Sequence, residues 1–299
     1  MNEKASLTAL MSAFGRAYYS EEGDPVYKDS AAKKLFTAEE YAKTGEYIAV
    51  GLEFFAPEKK GCFISEKEIL HYLVNTQIAP NPVARASFCA DCLKTALLTG
   101  TKQYVMLGAG FDTFAFENAQ LLKKCRVFEV DHPKTQEDKI ARIERAGLSA
   151  RFSPIFVPVD FAKDDLKDRL LKAGFNPKEK SFFSLLGVSY YLSLSEFEKT
   201  LAAIAGVAAD GCSLVFDCAD ENLFSSKVRR VKNMLAMAAA GGEPMKTCFS
   251  YAELEKTLEK YGFLIYEYLT PDDIQKRYFV GTDITAFEHI NLINAAYKQ

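Results

Sequence analysis

From about Gln103 onward, short apolar runs alternate with longer stretches in which apolar residues return every three or four positions. Runs of the first kind suit buried strands, and stretches of the second suit helices with one face on a core. The pattern predicts strands at 103–108, 126–131, 152–158, 181–187 and 211–217, with final strands at 263–269 and 277–286 as a hairpin-like antiparallel edge. Between them it predicts helices. One runs from Lys134 to Gly147, where Ile140, Ile143 and Ala146 recur at helical spacing and Gly147 can cap the end. Another opens at Ser193-Leu-Ser-Glu-Phe-Glu198, which has the spacing of a capping box, and a third, Tyr251 to Tyr261, is stopped by Gly262. Strands alternating with helices argue for an α/β fold with a mostly parallel sheet covered on both faces.

The first hundred residues break this rhythm, being mostly helical in pattern and free of any nucleotide motif. They are rich in aromatics: Phe14, Tyr18, Tyr19, Phe36, Tyr41, Tyr47, Phe54 and Phe55. Most of these suit burial of added helices against the sheet, and some would supply a dry substrate pocket. A second departure, from Asp220 to Thr247, interrupts the sheet late. Both segments are lid candidates, because ligands of open parallel sheets sit beyond the carboxyl ends of the strands. No repeat, low-complexity tract or linker divides the chain. The reading is one domain over residues 1–299, with a helical cap over 1–100, a core from 101 to 299 and a lid insertion at about 220–247.

The chemistry concentrates at the ends of the first two core strands. Tyr104-Val-Met-Leu-Gly-Ala-Gly-Phe-Asp-Thr113 closes its apolar run on Gly108 and Gly110, where the missing side chains let backbone turn tightly and approach a ligand. Val127-Phe-Glu-Val-Asp131 ends in a carboxylate about 20 residues later, where an acid that bonds ribose hydroxyls falls in nucleoside-binding folds. Of the dinucleotide fingerprint G-x-G-x-x-G, Gly108 and Gly110 match but Thr113 takes the third place. Asp112 stands where a helix start would otherwise welcome phosphate oxygens, and its charge suits a cationic group instead. S-adenosylmethionine carries an ammonium and a sulfonium and no phosphate. The plain alternative is a strand-to-helix turn in which Asp112 is an N-cap.

Composition fits an enzyme of ordinary globular make-up: 299 residues, 48% hydrophobic, 26% charged, net charge −3. That mild acidic balance gives no electrostatic footprint for nucleic acid. The longest apolar runs are strand-length, short of the roughly 20 residues of a membrane helix, and Met-Asn-Glu-Lys at the start lacks a signal peptide's apolar core, so the expectation is a cytoplasmic chain off the membrane. Seven cysteines at irregular spacing make no disulfide framework, and Cys89-Ala-Asp-Cys92 falls in an amphipathic helical run with no second pair to complete a zinc site. Three histidines offer little to a metal centre, and none is expected. His132-Pro133 reads as the start of the helix after the second strand, with His132 beside the pocket.

Several further segments appear in order. They are Ala79-Pro-Asn-Pro-Val-Ala-Arg85, Leu107-Gly-Ala-Gly-Phe-Asp-Thr113, Phe128-Glu-Val-Asp-His-Pro133, Val157-Pro-Val-Asp-Phe161, Leu186-Gly-Val-Ser-Tyr-Tyr-Leu192 and Gly242-Glu-Pro244. In these the chain resembles the leucine carboxyl methyltransferase family, in particular its bacterial branch of S-adenosylmethionine-dependent methyltransferases. The resemblance implies a Rossmann-like class I fold with a seven-stranded sheet. It also implies a site in which Arg85 pairs with the methionine carboxylate, Gly108, Ala109 and Gly110 underlie the methionine portion, Asp131 holds the ribose, and Asp160 and Phe161 flank the adenine. An arginine fork suits a carboxylate. Two positions depart from the family pattern. Phe114 stands where many members carry Arg, and Leu186 where members place a Glu that faces the methionine end, so either Asp112 or a backbone carbonyl takes over the amino-group contact or the cofactor is bound more weakly.

The leading expectation is therefore an O-methyltransferase acting on a carboxylate or hydroxyl of a small molecule or an exposed protein carboxylate. Tyr190, Tyr191 and Glu243 are the polar residues expected near the transferred methyl, although a half-buried tyrosine or a turn acid beside Pro244 has ordinary structural uses too. No compelling base is visible, which favours a carboxylate acceptor over a phenol. An NAD(P)-dependent oxidoreductase and a non-catalytic cofactor-binding module are the alternatives. The oligomeric state is not readable.

Overall fold

The computed structural model describes residues 6–21, 25–161 and 163–298. Seven strands form one sheet: β1 (Gln103–Leu107), β2 (Arg126–Asp131), β3 (Ile155–Pro158), β4 (Ser181–Leu185), β5 (Ser213–Ala219), β6 (Phe263–Leu269) and β7 (Ile290–Tyr297). Their order is β3-β2-β1-β4-β5-β7-β6. The first five pair in parallel, and β7 runs antiparallel between β5 and β6. β1 and β4 are buried at every position, as the strands of a sheet covered on both faces must be. Successive side chains go to opposite layers, so Tyr104 and Met106 join the core beneath the N-terminal helices while Val105 and Leu107 join the core on the other face.

The helix over Pro133–Arg145 forms as the spacing predicts, with Gly147 left-handed just beyond it at φ +64°. The box predicted at Ser193 closes, and a second, not foreseen, closes at Ser250 where the Tyr251–Glu259 helix begins; in each the serine side chain accepts the N–H three residues on and the glutamate accepts the serine's N–H. One strand was misplaced: residues 277–286 make none, and the last strand is Ile290–Tyr297. Thr270-Pro-Asp-Asp273 instead starts a helix, Pro271–Tyr278, with a capping box in which aspartate takes the usual glutamate position. Proline at the first helical position and two acids in the first turn outweighed the apolar run that follows. The third predicted strand is shorter than expected and the fifth is shifted two residues toward the C-terminus.

Helices between Leu7 and Leu98 pack on one face, where Phe14 meets Phe36 and Tyr41 at ring separations of 6.1 and 4.8 Å. Cys89 and Cys92 are buried on the Pro80–Leu98 helix, and burial pushes the Cys92 thiol up to about 12. A buried polar network ties this layer to the turn after β1. Arg16 Nε donates to Asp29 at 2.8 Å, its Nη2 donates to the Phe111 carbonyl at 2.8 Å, and the Thr113 hydroxyl lies 2.6 and 2.7 Å from the two Asp29 oxygens. No described helix is long and apolar enough to cross a membrane.

A second buried pair carries a pH signature. Lys139 Nζ lies 2.5 Å from Glu129, both side chains almost wholly buried, and burial pushes the Glu129 carboxyl up to about 7 against the pull of Lys139. On unfolding that carboxyl returns toward 4.5, so the native state binds the extra proton and this group's stabilisation is full below about 4.5 and lost as pH rises through about 7. Melting temperature should fall across that window more in the wild type than in Glu129→Gln. Parallel curves would show that Glu129 does not titrate there.

Candidate cofactor and acceptor site

The tight turn after β1 depends on its glycines. Gly108 and Gly110 have φ of +69° and +48°, and the N–H groups of Gly108 and Ala109 both donate to the Val130 carbonyl at 2.9 and 3.1 Å. A Cβ on Gly108 would lie 2.5 Å from a Val188 methyl, and one on Gly110 would lie 3.1 Å from Ala9 on the Leu7–Tyr19 helix. At the end of β2, Asp131 accepts the N–H of Gly110 at 2.5 Å and of His132 at 2.6 Å. Burial raises its carboxyl above the ordinary range, opposed by those two bonds. His132 opens the Pro133–Arg145 helix, its Nδ1 accepting the Lys134 N–H at 3.3 Å. Beyond β3 stand Asp160, paired with Lys163 at 2.8 Å, and Phe161, a residue 45% exposed. Gly108 to Gly110, Asp131, and the Asp160–Phe161 pair thus share the carboxyl ends of three neighbouring strands.

Arg85 lies on the other side of β1. It projects from the Pro80–Leu98 helix, with Nη1 donating to Tyr190 Oη at 3.1 Å and lying 3.4 Å from Asp217, while Nη2 donates to Ser12 at 3.1 Å. Asp217, on β5 and fully buried, also accepts the Gly187 N–H at 2.5 Å and the Tyr190 hydroxyl at 3.2 Å. Gly187 has φ +69°, and a Cβ there would collide with the Arg85 guanidinium. Asp217 escaped the sequence reading because it sits inside an apolar strand; a carboxylate in such a run is itself the signal, since burial of an unpaired charge is costly.

Arg85, Tyr190, Tyr191, Ser12, Asn81 and Met234 are among the residues lining a cavity of about 130 Å³, and none of the described lining residues is acidic. Its walls come from the Leu7–Tyr19 helix, the Pro80–Leu98 helix, the short helical turn Ser189–Tyr191 and the Arg229–Ala240 helix of the 220–247 segment. Burial, with Asp217 next in effect, holds the Tyr190 phenol well above its ordinary value, and burial pushes Tyr191 up to about 12. Both are hydrogen-bond donors at neutral pH. Glu243, expected beside them, accepts from the hydroxyls of Ser6, at 3.0 Å, and Thr8, so it ties the late segment to the start of the first helix.

Leu186 and Asp112 meet elsewhere. With Tyr27, Cys89, Tyr104 and Phe114 they line a void of about 10 Å³, and Asp112 accepts the Phe114 N–H at 2.8 Å in an N-cap-like turn. Residues expected in one pocket therefore fall into three groups: the nucleoside-side turn, the Arg85 cavity and this small void.

The sequence profile of the leucine carboxyl methyltransferase family matches residues 9–205. Over 301 residues the chain is 43% identical to YktD of Bacillus subtilis (strain 168), provisionally named as an S-adenosyl-L-methionine-dependent methyltransferase, covering 99% of each sequence. A solved DUF574 family protein from Streptomyces avermitilis superposes with a TM-score of 0.57 at 16% identity, covering 99% of this chain and 98% of that one. A Thermobifida fusca protein provisionally named as a methyltransferase gives 0.56 at 11% identity, with 99% and 96% covered. These two structures share the fold.

Proposed function

We propose, from the premise that this chain belongs to the leucine carboxyl methyltransferase family and is an S-adenosylmethionine-dependent methyltransferase, that it methylates an oxygen of a small, already ionised acid held beside Arg85, Tyr190 and Tyr191. The observation that carries this reading is the cavity lining: two arginines, Arg85 and Arg230, and two protonated phenols, with no carboxylate among the described lining residues. A hydroxyl acceptor would need a base, whereas a carboxylate is ionised at neutral pH and needs none. The cavity is close to the size, about 150 Å³, that takes a single benzene ring, which favours a compact acceptor.

The residues present fit the cofactor. When bound, it supplies an electrophilic methyl on a positive sulfur. Arg85 would hold its amino-acid carboxylate, the side-chain-free turn at Gly108 to Gly110 would underlie the methionine portion, Asp131 would accept from ribose hydroxyls, and Phe161 would cover the adenine. Asp160 would flank the base, and His132 would stand at the ribose edge. Tyr190 and Tyr191 would orient the acceptor, and Glu243 would act on the lid. Ala9 lies over Gly110 and Val188 over Gly108, so the first helix and the turn after β4 border the backbone on which the methionine portion would rest.

Calorimetric titration with S-adenosylhomocysteine, with NAD as comparison, tests the cofactor half. Saturable binding of the former alone supports the reading, and tighter binding of NAD would sink it. Asp131→Ala should weaken S-adenosylhomocysteine by about 1–3 kcal/mol as its hydrogen bonds are lost; an unchanged affinity removes Asp131 from the site. Labelled methyl transfer offered to aryl carboxylic acids and to phenols tests the acceptor half, with carboxylic acids expected to be the substrates.

A further inference from the structure

Where the 220–247 segment leaves the sheet, three side chains outside the cavity form a hydrogen-bonded series. His289 Nδ1 lies 3.0 and 3.1 Å from the two carboxylate oxygens of Asp220, and its Nε2 lies 3.1 Å from Ser226 Oγ. The backbone fixes this arrangement from both sides. Asp220 follows β5 directly and donates its N–H to the His289 carbonyl at 3.0 Å, and the β5–β7 ladder begins at the adjoining pair, Ala219 and Ile290. His289 sits at φ +64°, the one left-handed non-glycine residue among those described. A residue held in that region signals a position that its surroundings over-determine, often at a functional site.

The bonds orient each group as nucleophilic catalysis needs. Asp220 also accepts the Asn222 N–H at 2.8 Å, which holds its carboxylate directed at the ring. Ser226 Oγ accepts the Val228 N–H at 3.2 Å, so its own hydrogen is available to the imidazole. A tether would need only the Asp220–His289 bond; here the second ring nitrogen faces a hydroxyl. All three side chains are partly open to solvent.

We propose that Ser226 is an activated nucleophile, with His289 as its base and Asp220 as the residue that positions the ring, forming a second reactive site that takes acyl groups from small activated esters. Nucleophile, base and orienter stand at the separations such triads show. In the first step Ser226 Oγ bonds to the acyl carbon as its proton passes to His289 Nε2. The ester C–O bond breaks, and the leaving oxygen takes that proton and departs as the alcohol. Water then adds to the acyl carbon, giving a proton to the same nitrogen; the bond to Oγ breaks, the acid leaves, and the proton returns to Ser226. Water is the one co-reactant.

The test uses the full-length protein with a fluorophosphonate probe and with p-nitrophenyl acetate. Peptide mass spectrometry should place the phosphonate on Ser226, and p-nitrophenol should be released. Ser226→Ala should abolish both while binding S-adenosylhomocysteine as the wild type does. His289→Asn, chosen because asparagine tolerates the left-handed backbone, should slow labelling by at least about 100-fold. Asp220→Asn should slow it too, and Asp220→Glu should restore part of the rate. An unlabelled Ser226 in the wild type overturns the proposal, as does labelling at the wild-type rate in a folded His289→Asn protein.

Discussion

Replacing Gly187 by alanine should lower affinity for S-adenosylhomocysteine by at least 100-fold, an energetic loss of about 2.8 kcal/mol. Two effects combine at this residue. Its φ of +69° resists any L side chain, and the added Cβ would be driven into the Arg85 guanidinium, which is already held by Tyr190, Asp217 and Ser12. Gly147→Ala separates the two, since Gly147 has nearly the same backbone, φ +64°, and no atom within 4 Å of the built Cβ. That control should lose about 1–2 kcal/mol of stability from the left-handed backbone alone and keep its affinity. Calorimetry and thermal melting on both variants read the difference. If Gly187→Ala binds as the wild type does, Arg85 is free to move aside and does not anchor the cofactor.

Asp217→Asn should be the most destabilising of the single changes and the one most repaired by ligand. Asparagine keeps the shape and an acceptor for the Gly187 N–H, so the variable is the charge opposite Arg85. Removing one partner of a buried ion pair costs about 3–5 kcal/mol, because the other charge stays buried and unpaired. A carboxylate arriving on the ligand supplies the missing charge. The rise in melting temperature on saturation with S-adenosylhomocysteine should therefore be larger in Asp217→Asn than in the wild type. With 5′-methylthioadenosine, which has the nucleoside and sulfur but no amino acid, the rise should not be larger. Equal increments for both ligands would mean that Asp217 and the ligand carboxylate do not meet through Arg85.

How much of this was legible in the chain follows from the range of the forces involved. The first five strands could be read because both faces of the sheet are covered, which writes burial as an unbroken apolar run at Tyr104–Leu107 and one interrupted only by Ser184 at Phe182–Leu185. The Ser193 helix start was legible because a capping box is a four-residue affair, whereas the Tyr251 helix was read from its pattern and its closing Gly262, and its own box at Ser250 went unread. The Thr270 box was equally local and was overlooked because aspartate replaces glutamate in it. The turn at Gly108 to Gly110 and the carboxylate at Asp131 were legible as spacing, and their hydrogen bond joins residues the sequence had already paired. What could not be read is whatever depends on distant segments meeting. Nothing local connects Arg16 and Asp29 with Thr113, or Glu243 with Ser6 and Thr8. Leu186 was expected at the methionine end on family grounds, and it lines a separate small void that it shares with Asp112, Tyr27 and Tyr104.

The Leu7–Tyr19 helix serves both halves of the site. Ala9 lies over Gly110, while Leu7, Thr8, Met11 and Ser12 face the Arg85 cavity. Its start is bonded to Glu243, and its far end is pinned through Arg16 to Asp29. One rigid element cannot open over the glycine turn while its other flank is braced against a seated acceptor. The expected consequence is an ordered sequence, nucleoside side first in and last out, in which an acceptor that lingers would trap the spent cofactor beneath it.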